Sequence, residues 1–364
     1  MTELDRILDT ASDWHERGLE FALATVVGVR GSTYRGLGAR QLVGGDGSGV
    51  GTVSGGCLDA DLIEVARQVI DSGSPRTIEF DLTADDEAVW GWGIGCNGAT
   101  ELVVEPAPGV IDFIDSIRGV RRPLVVVHHL SPGRAGERTL VSPDGAGPFA
   151  AIAAEAVEEG RNRVAEVAGE RVMIELLGAP RRLIVCGAGH DAVPVVKLAG
   201  ELGYETVVVD DRRQFLSTDR FPGVAQLVQV EPRHLGDAVD LDGAASVVIM
   251  SHNYLRDLDY LESVLGHRLS YIGVLGPGER LARLLGDLAE RGVRPHPHDL
   301  AVLHGPAGLD IGAEGPIEIA WSVLSEIMAV RRHRRAGFLR ERKGPPGLRE
   351  YDRPDAGATS GEEA

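Results

Sequence analysis

The chain has 364 residues, and its 55 acidic and 37 basic side chains give a formal net charge of -18 at pH 7. This length predicts two or three domains, and the acidic balance disfavours nucleic-acid binding, which needs a basic surface. No segment approaches the roughly 18 consecutive apolar residues of a membrane helix. The mixed charges of the N-terminus do not indicate a signal peptide, and the three cysteines are too few for a disulfide framework. We therefore expect a soluble, cytoplasmic protein.

The first 105 residues alternate short apolar runs with glycine-rich loops, which predicts a glycine-rich α/β domain. An opening helix is expected over residues 3–17, ended by Gly18, and a β-branched strand comes next at 21–29. Further along this domain we expect strands at 41–43, 50–53, 77–82 and 100–105, and a helix at 58–70 with apolar residues at i+4 steps.

The middle of the chain, residues 106–180, gives weaker signals. Pro106, Pro108 and Gly109 mark a boundary, and a strand is predicted at 124–128 within an otherwise loop-rich pattern. This segment is expected either to complete the N-terminal domain or to link it to the C-terminal half of the chain. His128 and His129 are adjacent and would point to opposite faces of a strand, so their spacing does not predict a metal site.

From residue 181 to 330 apolar strands alternate with amphipathic helices, which predicts a doubly wound parallel sheet of the Rossmann type. The predicted fold class is therefore α/β, with the glycine-rich domain followed by this Rossmann domain. Residues 331–364 form a basic run and then a tail rich in Gly, Pro, Ser and Glu, which we expect to be disordered. The predicted strands are 183–186, 206–209, 224–230, 246–250, 271–275 and 301–303, and the predicted helices are 191–202, 255–265, 278–290 and 316–330.

A dinucleotide-binding fingerprint opens the Rossmann domain. Gly187-Ala188-Gly189-His190-Asp191-Ala192 follows a predicted strand and begins a predicted helix, as the G-x-G-x-x-G/A motif requires. Gly187 permits the tight turn, and Gly189 lets a pyrophosphate approach the backbone at the helix N-terminus. The architecture alone is compatible with another nucleotide, or with no nucleotide at all.

Polar residues after two later strands complete the predicted nucleotide site. Asp210 or the adjacent Asp211 would hydrogen-bond a ribose 2′-hydroxyl, whereas Arg212 or Arg213 would instead take a 2′-phosphate. His252 directly follows a predicted strand, where ligands of such sheets bind, although a loop histidine that caps the next helix would look the same.

Two cysteines lie in glycine-rich turns of the N-terminal domain. Cys57 follows Gly55-Gly56 at the start of a predicted helix, where a thiolate is stabilised, and Cys96 lies in a second turn. If they meet, they could hold a soft or high-valent metal or transfer sulfur. The alternative is that both are small buried hydrophobes, as Cys186 in its apolar strand is expected to be.

Together these segments resemble the XdhC/CoxI family, the accessory proteins of xanthine dehydrogenase and carbon monoxide dehydrogenase. The resemblance spans most of residues 20–330 and includes the turns around both Cys57 and Cys96. Its other motifs, in chain order, are 24–27, 31–40, 51–59, 93–98, 187–192, 210–212, Ser251-His252 with Asp257, 271–276 and 308–313.

The resemblance implies a chaperone without turnover of its own. Such proteins bind molybdenum cofactor (molybdopterin), protect it, and deliver it to an apo-molybdoenzyme of the xanthine dehydrogenase or carbon monoxide dehydrogenase type after sulfuration by a cysteine desulfurase partner. On this basis Cys57 and Cys96 would hold molybdenum or its sulfur, and Arg35 and Arg40 would neutralise the pterin phosphate. The Rossmann half would bind a nucleotide or the pterin-phosphate end.

Two other functions fit parts of the sequence. An NAD(P)-dependent oxidoreductase would use the Rossmann domain for hydride transfer, with Cys57 or His252 in the chemistry. A pure adaptor would bind the apo-dehydrogenase and neither cofactor. The sequence leaves enzymatic activity, the client enzyme and homo-oligomerisation open.

Overall fold

The computed structural model describes residues 3–31, 33–81, 98–118, 124–142, 145–177, 181–241 and 245–341. They form two compact units. The N-terminal unit consists chiefly of Arg6–Gly119 and Pro123–Leu177, and the Rossmann unit chiefly of Gly178–Gly337. Among the described residues, no helix combines the length and the apolar character that spanning a membrane would require.

A five-stranded antiparallel sheet, ordered β3-β2-β1-β5-β4, forms the first half of the N-terminal unit. Helix α2 covers one face through an i+4 stripe that includes Leu62 and Ala66, and α1 and α3 cover the other face around Phe21 and Leu23. Helix α3 begins at the position where the sequence indicated only a domain boundary. Pro108 lies in the first turn of this helix, where proline is tolerated. The elements are α1 Glu3–Glu16, β1 Phe21–Gly31, β2 Arg40–Gly44, β3 Gly49–Gly51, α2 Asp59–Ser72, β4 Arg76–Asp81, β5 Gly98–Pro106 and α3 Ala107–Ile117.

A second antiparallel sheet, ordered β7-β6-β9-β8, lies in the segment for which the sequence predicted one strand. Helix α4 covers one face around Val125, Val127 and Ala153. On the other face Met173 packs against Val27 of the first sheet, so the two sheets share a core. The elements are β6 Leu124–His129, β7 Arg138–Val141, α4 Ala150–Glu159, β8 Arg163–Val167 and β9 Glu170–Leu177.

A buried ion pair joins the two sheets of the N-terminal unit. The guanidinium of Arg40 on β2 meets the carboxylate of Glu175 on β9 through two hydrogen bonds of 2.6 Å each, and His128 Nε2 lies 2.8 Å from Glu175 Oε2. Burial alone would raise the pKa of Glu175, but the charge of Arg40 and the hydrogen bonds outweigh it and hold that pKa well below its usual range. A second buried pair, Arg138 with Glu105, lies nearby.

The Rossmann unit contains a six-stranded parallel sheet in the order β12-β11-β10-β13-β14-β15. Counted from β10, this is the doubly wound order 3-2-1-4-5-6, and apolar side chains fill the layers on both faces. The predicted α/β fold class is confirmed. The elements are β10 Arg181–Cys186, α5 Ala192–Glu201, β11 Tyr204–Asp210, β12 Gln226–Gln229, α6 Leu235–Ala238, β13 Ser246–Ile249, α7 Tyr254–Val264, β14 Tyr271–Val274, α8 Gly278–Glu290, α9 Pro297–Val302, β15 Leu303–His304 and α10 Gly315–Arg331.

The prediction of a strand at residues 301–303 is mostly wrong, because α9 extends to Val302 and β15 contains only two residues. Pro297 occupies the first turn of α9, and the Asp299 carboxylate accepts the backbone N–H of His296 at 2.8 Å. These are helix-start signals that the apolar run after them concealed.

We expect Glu175→Gln to destabilise the N-terminal unit by about 3–5 kcal/mol, because it leaves the buried charge of Arg40 without its partner. The matched control is Asp13→Asn, which breaks the exposed pair of Asp13 with Arg17 and should cost at most about 1 kcal/mol. Denaturant unfolding of the full chain at pH 7 measures both. Equal effects of the two substitutions would contradict the structural role given to the buried pair.

Candidate functional site

The first candidate site is the loop between β3 and α2, which presents Cys57 to solvent. Ser54 shapes this loop, since its Oγ accepts the N–H of Gly56 at 2.9 Å and donates to Asp59 Oδ1 at 2.9 Å. Gly56 adopts a φ of 107°, which favours glycine. Leu58 is the N-cap residue of α2 and makes no side-chain cap hydrogen bond, so the exposed thiol lies directly before a helix start without a side-chain cap.

The loop between β1 and β2 lies beside the Cys57 loop. A Cβ built on Gly55 would lie 3.6 Å from Cδ2 of Tyr34, whose side chain is largely exposed. Arg35, the next residue, is half-buried, and its carbonyl accepts the Thr33 hydroxyl at 2.9 Å. The structure thus brings Gly55 next to the loop that carries Arg35.

Arg40, another predicted residue of this site, is not part of that surface. Arg40 is buried, its two terminal nitrogens bind Glu175, and Nη1 also donates to the Gly38 carbonyl at 3.1 Å. It therefore has a structural role and offers no exposed nitrogen to a phosphate. Cys96 lies outside the described residues. Within the described part of the chain, no three His, Cys, Asp or Glu side chains cluster as metal ligands would.

Cys186, by contrast, is fully buried in β10, as expected of a structural cysteine. Burial raises the pKa of its thiol far above the ordinary range, so it stays protonated. This makes it a matched control for Cys57.

The second candidate site lies at the topological switch point of the Rossmann sheet, between β10 and β13. Gly187 has a φ of 114°, and a Cβ there would come within 2.6 Å of the Ser251 Cα. Only glycine fits this close approach of two loops. Gly189 and the exposed His190 come next in the same loop, immediately before α5.

His252 and Asp191 form an imidazole–carboxylate pair at this crevice. His252 Nε2 lies 2.5 Å from Asp191 Oδ2, and its side chain is 62% exposed. The φ of His252 is 56°, a conformation rare for a non-glycine residue. Its neighbour Ser251 donates to the buried Asp257 at 2.5 Å, and Arg280 pairs with the same carboxylate. The backbone under His252 is therefore held firmly, and the imidazole ring stands exposed at the crevice.

The two predicted ribose-binding carboxylates are both engaged by the protein. Asp210 accepts the N–H of Ala188 at 2.7 Å, and the backbone N–H, Nε and Nη2 of Arg212 at 2.9, 2.8 and 2.8 Å. Burial would raise the pKa of Asp210, but these hydrogen bonds lower it to about 2. Asp211 pairs with Arg256 at 2.9 Å.

Arg220 is a site residue that the sequence did not reveal. Its guanidinium donates to the carbonyls of Ala188 at 2.9 Å, Gly189 at 3.1 Å and Phe215 at 2.5 Å. It thereby places a positive charge beside the glycine loop. No local pattern identifies it, because it lies about thirty residues from that loop in the chain.

These features define a class of protein: a nucleotide-type Rossmann unit preceded by a unit with an exposed cysteine loop. Residues 14–81 match the XdhC and CoxI family, and residues 183–327 match the XdhC Rossmann domain. The chain is 30% identical over 329 residues to a probable xanthine dehydrogenase subunit of Bacillus subtilis, an alignment that covers 86% of this chain and 94% of that protein. The chain belongs to the XdhC and CoxI family.

Two further proteins are similar over most of the chain. The molybdenum cofactor insertion chaperone PaoD of Escherichia coli is 24% identical over 312 residues, which covers 85% of this chain and 83% of PaoD. A crystal structure of a xanthine dehydrogenase from Bacillus halodurans is 29% identical, with a TM-score of 0.73, and the match covers 90% of this chain and 96% of that one.

Gly187→Ala should destabilise the Rossmann unit by about 1–3 kcal/mol or more. The new methyl group overlaps the backbone of Ser251, and the positive φ of residue 187 is strained for alanine. The control is Gly200→Ala in α5, where a Cβ meets no atom within 4 Å and helix propensity predicts a gain of up to about 1 kcal/mol. Thermal unfolding compares the two variants. A Gly187→Ala variant as stable as wild type would refute the close approach.

Proposed function

We propose that this chain is a cytoplasmic molybdenum cofactor insertion chaperone. It binds the cofactor as cargo, protects it, and delivers it to an apo-molybdoenzyme of the xanthine dehydrogenase or carbon monoxide dehydrogenase type. Family membership supports this proposal, as do relatives whose names refer to xanthine dehydrogenase and to molybdenum cofactor insertion.

The observation that carries the proposal is the exposed thiol of Cys57 on an open glycine loop. Thiolates are soft ligands suited to molybdenum and its sulfur. A Cβ on Gly56 would meet no atom within 4 Å, so the backbone next to the thiol is open. Cys57 is therefore the proposed ligand in the described part of the chain, and Cys96 remains the proposed second ligand.

Arg35 is the proposed partner of the pterin phosphate. It lies in the loop whose Tyr34 ring contacts the position of Gly55, and a guanidinium forms strong hydrogen bonds with phosphate. Because Arg40 is occupied by Glu175, the proposal assigns it no contact with the cargo. The exposure of Cys57 also leaves bound cofactor accessible to a cysteine desulfurase and then to the client enzyme.

The Rossmann unit is proposed to bind a nucleotide at its switch point. The close-packed Gly187, the loop through Gly189 and the N-terminus of α5 form the surface that accepts a pyrophosphate in such folds. The pairing of His252 with Asp191 in the same crevice favours a second candidate function, an NAD(P)-dependent oxidoreductase, since this pair could exchange a proton during hydride transfer.

The chaperone proposal predicts that the chain, purified from a host that makes molybdopterin, carries molybdenum and pterin in comparable amounts. Cys57→Ala should lose most of both, because the soft ligand at the metal end is gone. Metal analysis and the fluorescence of the oxidised pterin measure the two components. Cys186→Ala is the control, since it removes a buried thiol and should retain the cargo.

Full retention of pterin and metal by Cys57→Ala would contradict the role of Cys57. A wild-type chain without either component would contradict the chaperone function. Turnover of NAD(P)H by that cargo-free chain would then favour the oxidoreductase, and binding of an apo-dehydrogenase without any cofactor would favour the adaptor.

A further inference from the structure

The end of β11 is where a Rossmann protein distinguishes its dinucleotides. A free carboxylate at this point hydrogen-bonds the adenosine 2′-hydroxyl of NAD, whereas an arginine accommodates the 2′-phosphate of NADP. In this chain the relevant residues are Asp210 and Asp211 at the strand end, and Arg212 and Arg213 directly after them.

Asp210 has no acceptor position left for a ribose hydroxyl. Its two oxygens accept four hydrogen bonds, one from Ala188 and three from Arg212, and a carboxylate has about four acceptor sites. Binding a ribose here would require breaking one of these bonds, either to Ala188 of the glycine loop or to Arg212. Asp210 therefore holds the glycine loop in place through its hydrogen bond with Ala188.

Asp211 is engaged by the protein through one of its two carboxylate oxygens. Its Oδ2 accepts from Arg256 at 2.9 and 3.2 Å, and its Oδ1 has no hydrogen-bond partner among the described residues but is shielded from solvent. The negative charge at the strand end is thus matched by Arg212 and Arg256, and neither carboxylate exposes an unpaired oxygen to solvent.

Beyond the two pairs that match the aspartates, further positive charge remains near the end of β11. Arg212 is held by Asp210 and lies over the Phe215 ring at 4.2 Å, and its Nη1 donates to no atom of the described residues. Arg213 is exposed. Across the described parts of the chain, neither Arg213 nor Arg220 has a carboxylate partner. Such a surplus suits a phosphate dianion.

We infer that the Rossmann unit recognises a nucleotide with a phosphate on its adenosine 2′ position, and so binds NADP(H) in preference to NAD(H), through Arg212 and Arg213. This inference rests on the proposed nucleotide binding by the Rossmann unit. It is independent of the cargo at Cys57, and it applies whether the nucleotide reacts or only stabilises the protein.

Fluorescence titration of the full chain with NADPH and with NADH tests the inference. NADPH should bind at least about tenfold more tightly, the factor that a charge-assisted hydrogen bond supplies. Adenosine 2′,5′-bisphosphate should displace NADPH far better than 5′-AMP, which isolates the contribution of the 2′-phosphate from that of the pyrophosphate.

Arg213→Ala should weaken NADPH binding about tenfold and leave NADH binding unchanged. Arg213 is exposed, and Asp210 is held by Arg212, so Arg213→Ala tests recognition without disturbing the hydrogen bonds of Asp210. Arg212→Ala serves as a second variant, and its melting temperature is recorded because it removes a partner of Asp210. The control is Arg268→Ala, an exposed residue that precedes β14, three strands away from β11 in the sheet.

Three results would overturn the inference. Equal affinity for the two nucleotides, or a preference for NADH, would refute 2′-phosphate recognition and leave nucleotide binding intact. A preference for NADPH that survives both arginine substitutions would refute the assigned residues. Failure of both nucleotides to bind at millimolar concentration would refute the proposed nucleotide site as well.

Discussion

The N-terminal unit depends on the buried ion pair between Arg40 and Glu175. A charge buried without its partner is strongly destabilising, so this pair fixes β2 against β9 and thereby one sheet against the other. Arg40 also holds the Gly38 carbonyl at 3.1 Å, at the end of the loop that carries Tyr34 and Arg35. That loop lies beside the Cys57 loop, so a pair with no chemical role of its own determines the surface proposed to receive the cofactor.

The Rossmann crevice shows the same principle, because the protein's own contacts hold it in shape. Gly187 packs against the backbone of Ser251, Asp210 binds the N–H of Ala188, and Arg220 binds the carbonyls of the glycine loop. A loop held in this way loses little further freedom when a ligand binds. These contacts also occupy the oxygens of Asp210. The charged side chains that remain for a ligand near the end of β11 are therefore arginines.

The sequence predicted features that depend on local pattern, and the alternation of strands and helices was sufficient for the Rossmann sheet. It could not predict contacts between distant residues. Arg40 and Glu175 are 135 positions apart and Ala188 and Asp210 are 22 apart, so nothing near Arg40 indicated its burial and nothing near Asp210 indicated its hydrogen bond with the glycine loop. Three strands of the second sheet were missed: β7 and β8 have only four and five residues, and the buried residues of β9 form a continuous run that does not alternate.

Delivery of the cargo to a client enzyme is the decisive test of the chaperone function. An apo-enzyme of the xanthine dehydrogenase type would be mixed with the cofactor-loaded chain, with an equal amount of free cofactor, or with the Cys57→Ala chain purified in the same way. We predict that the loaded wild-type chain restores dehydrogenase activity faster and more completely than free cofactor, and that the Cys57→Ala chain restores little. Activation by free cofactor but not by the loaded chain would contradict this function.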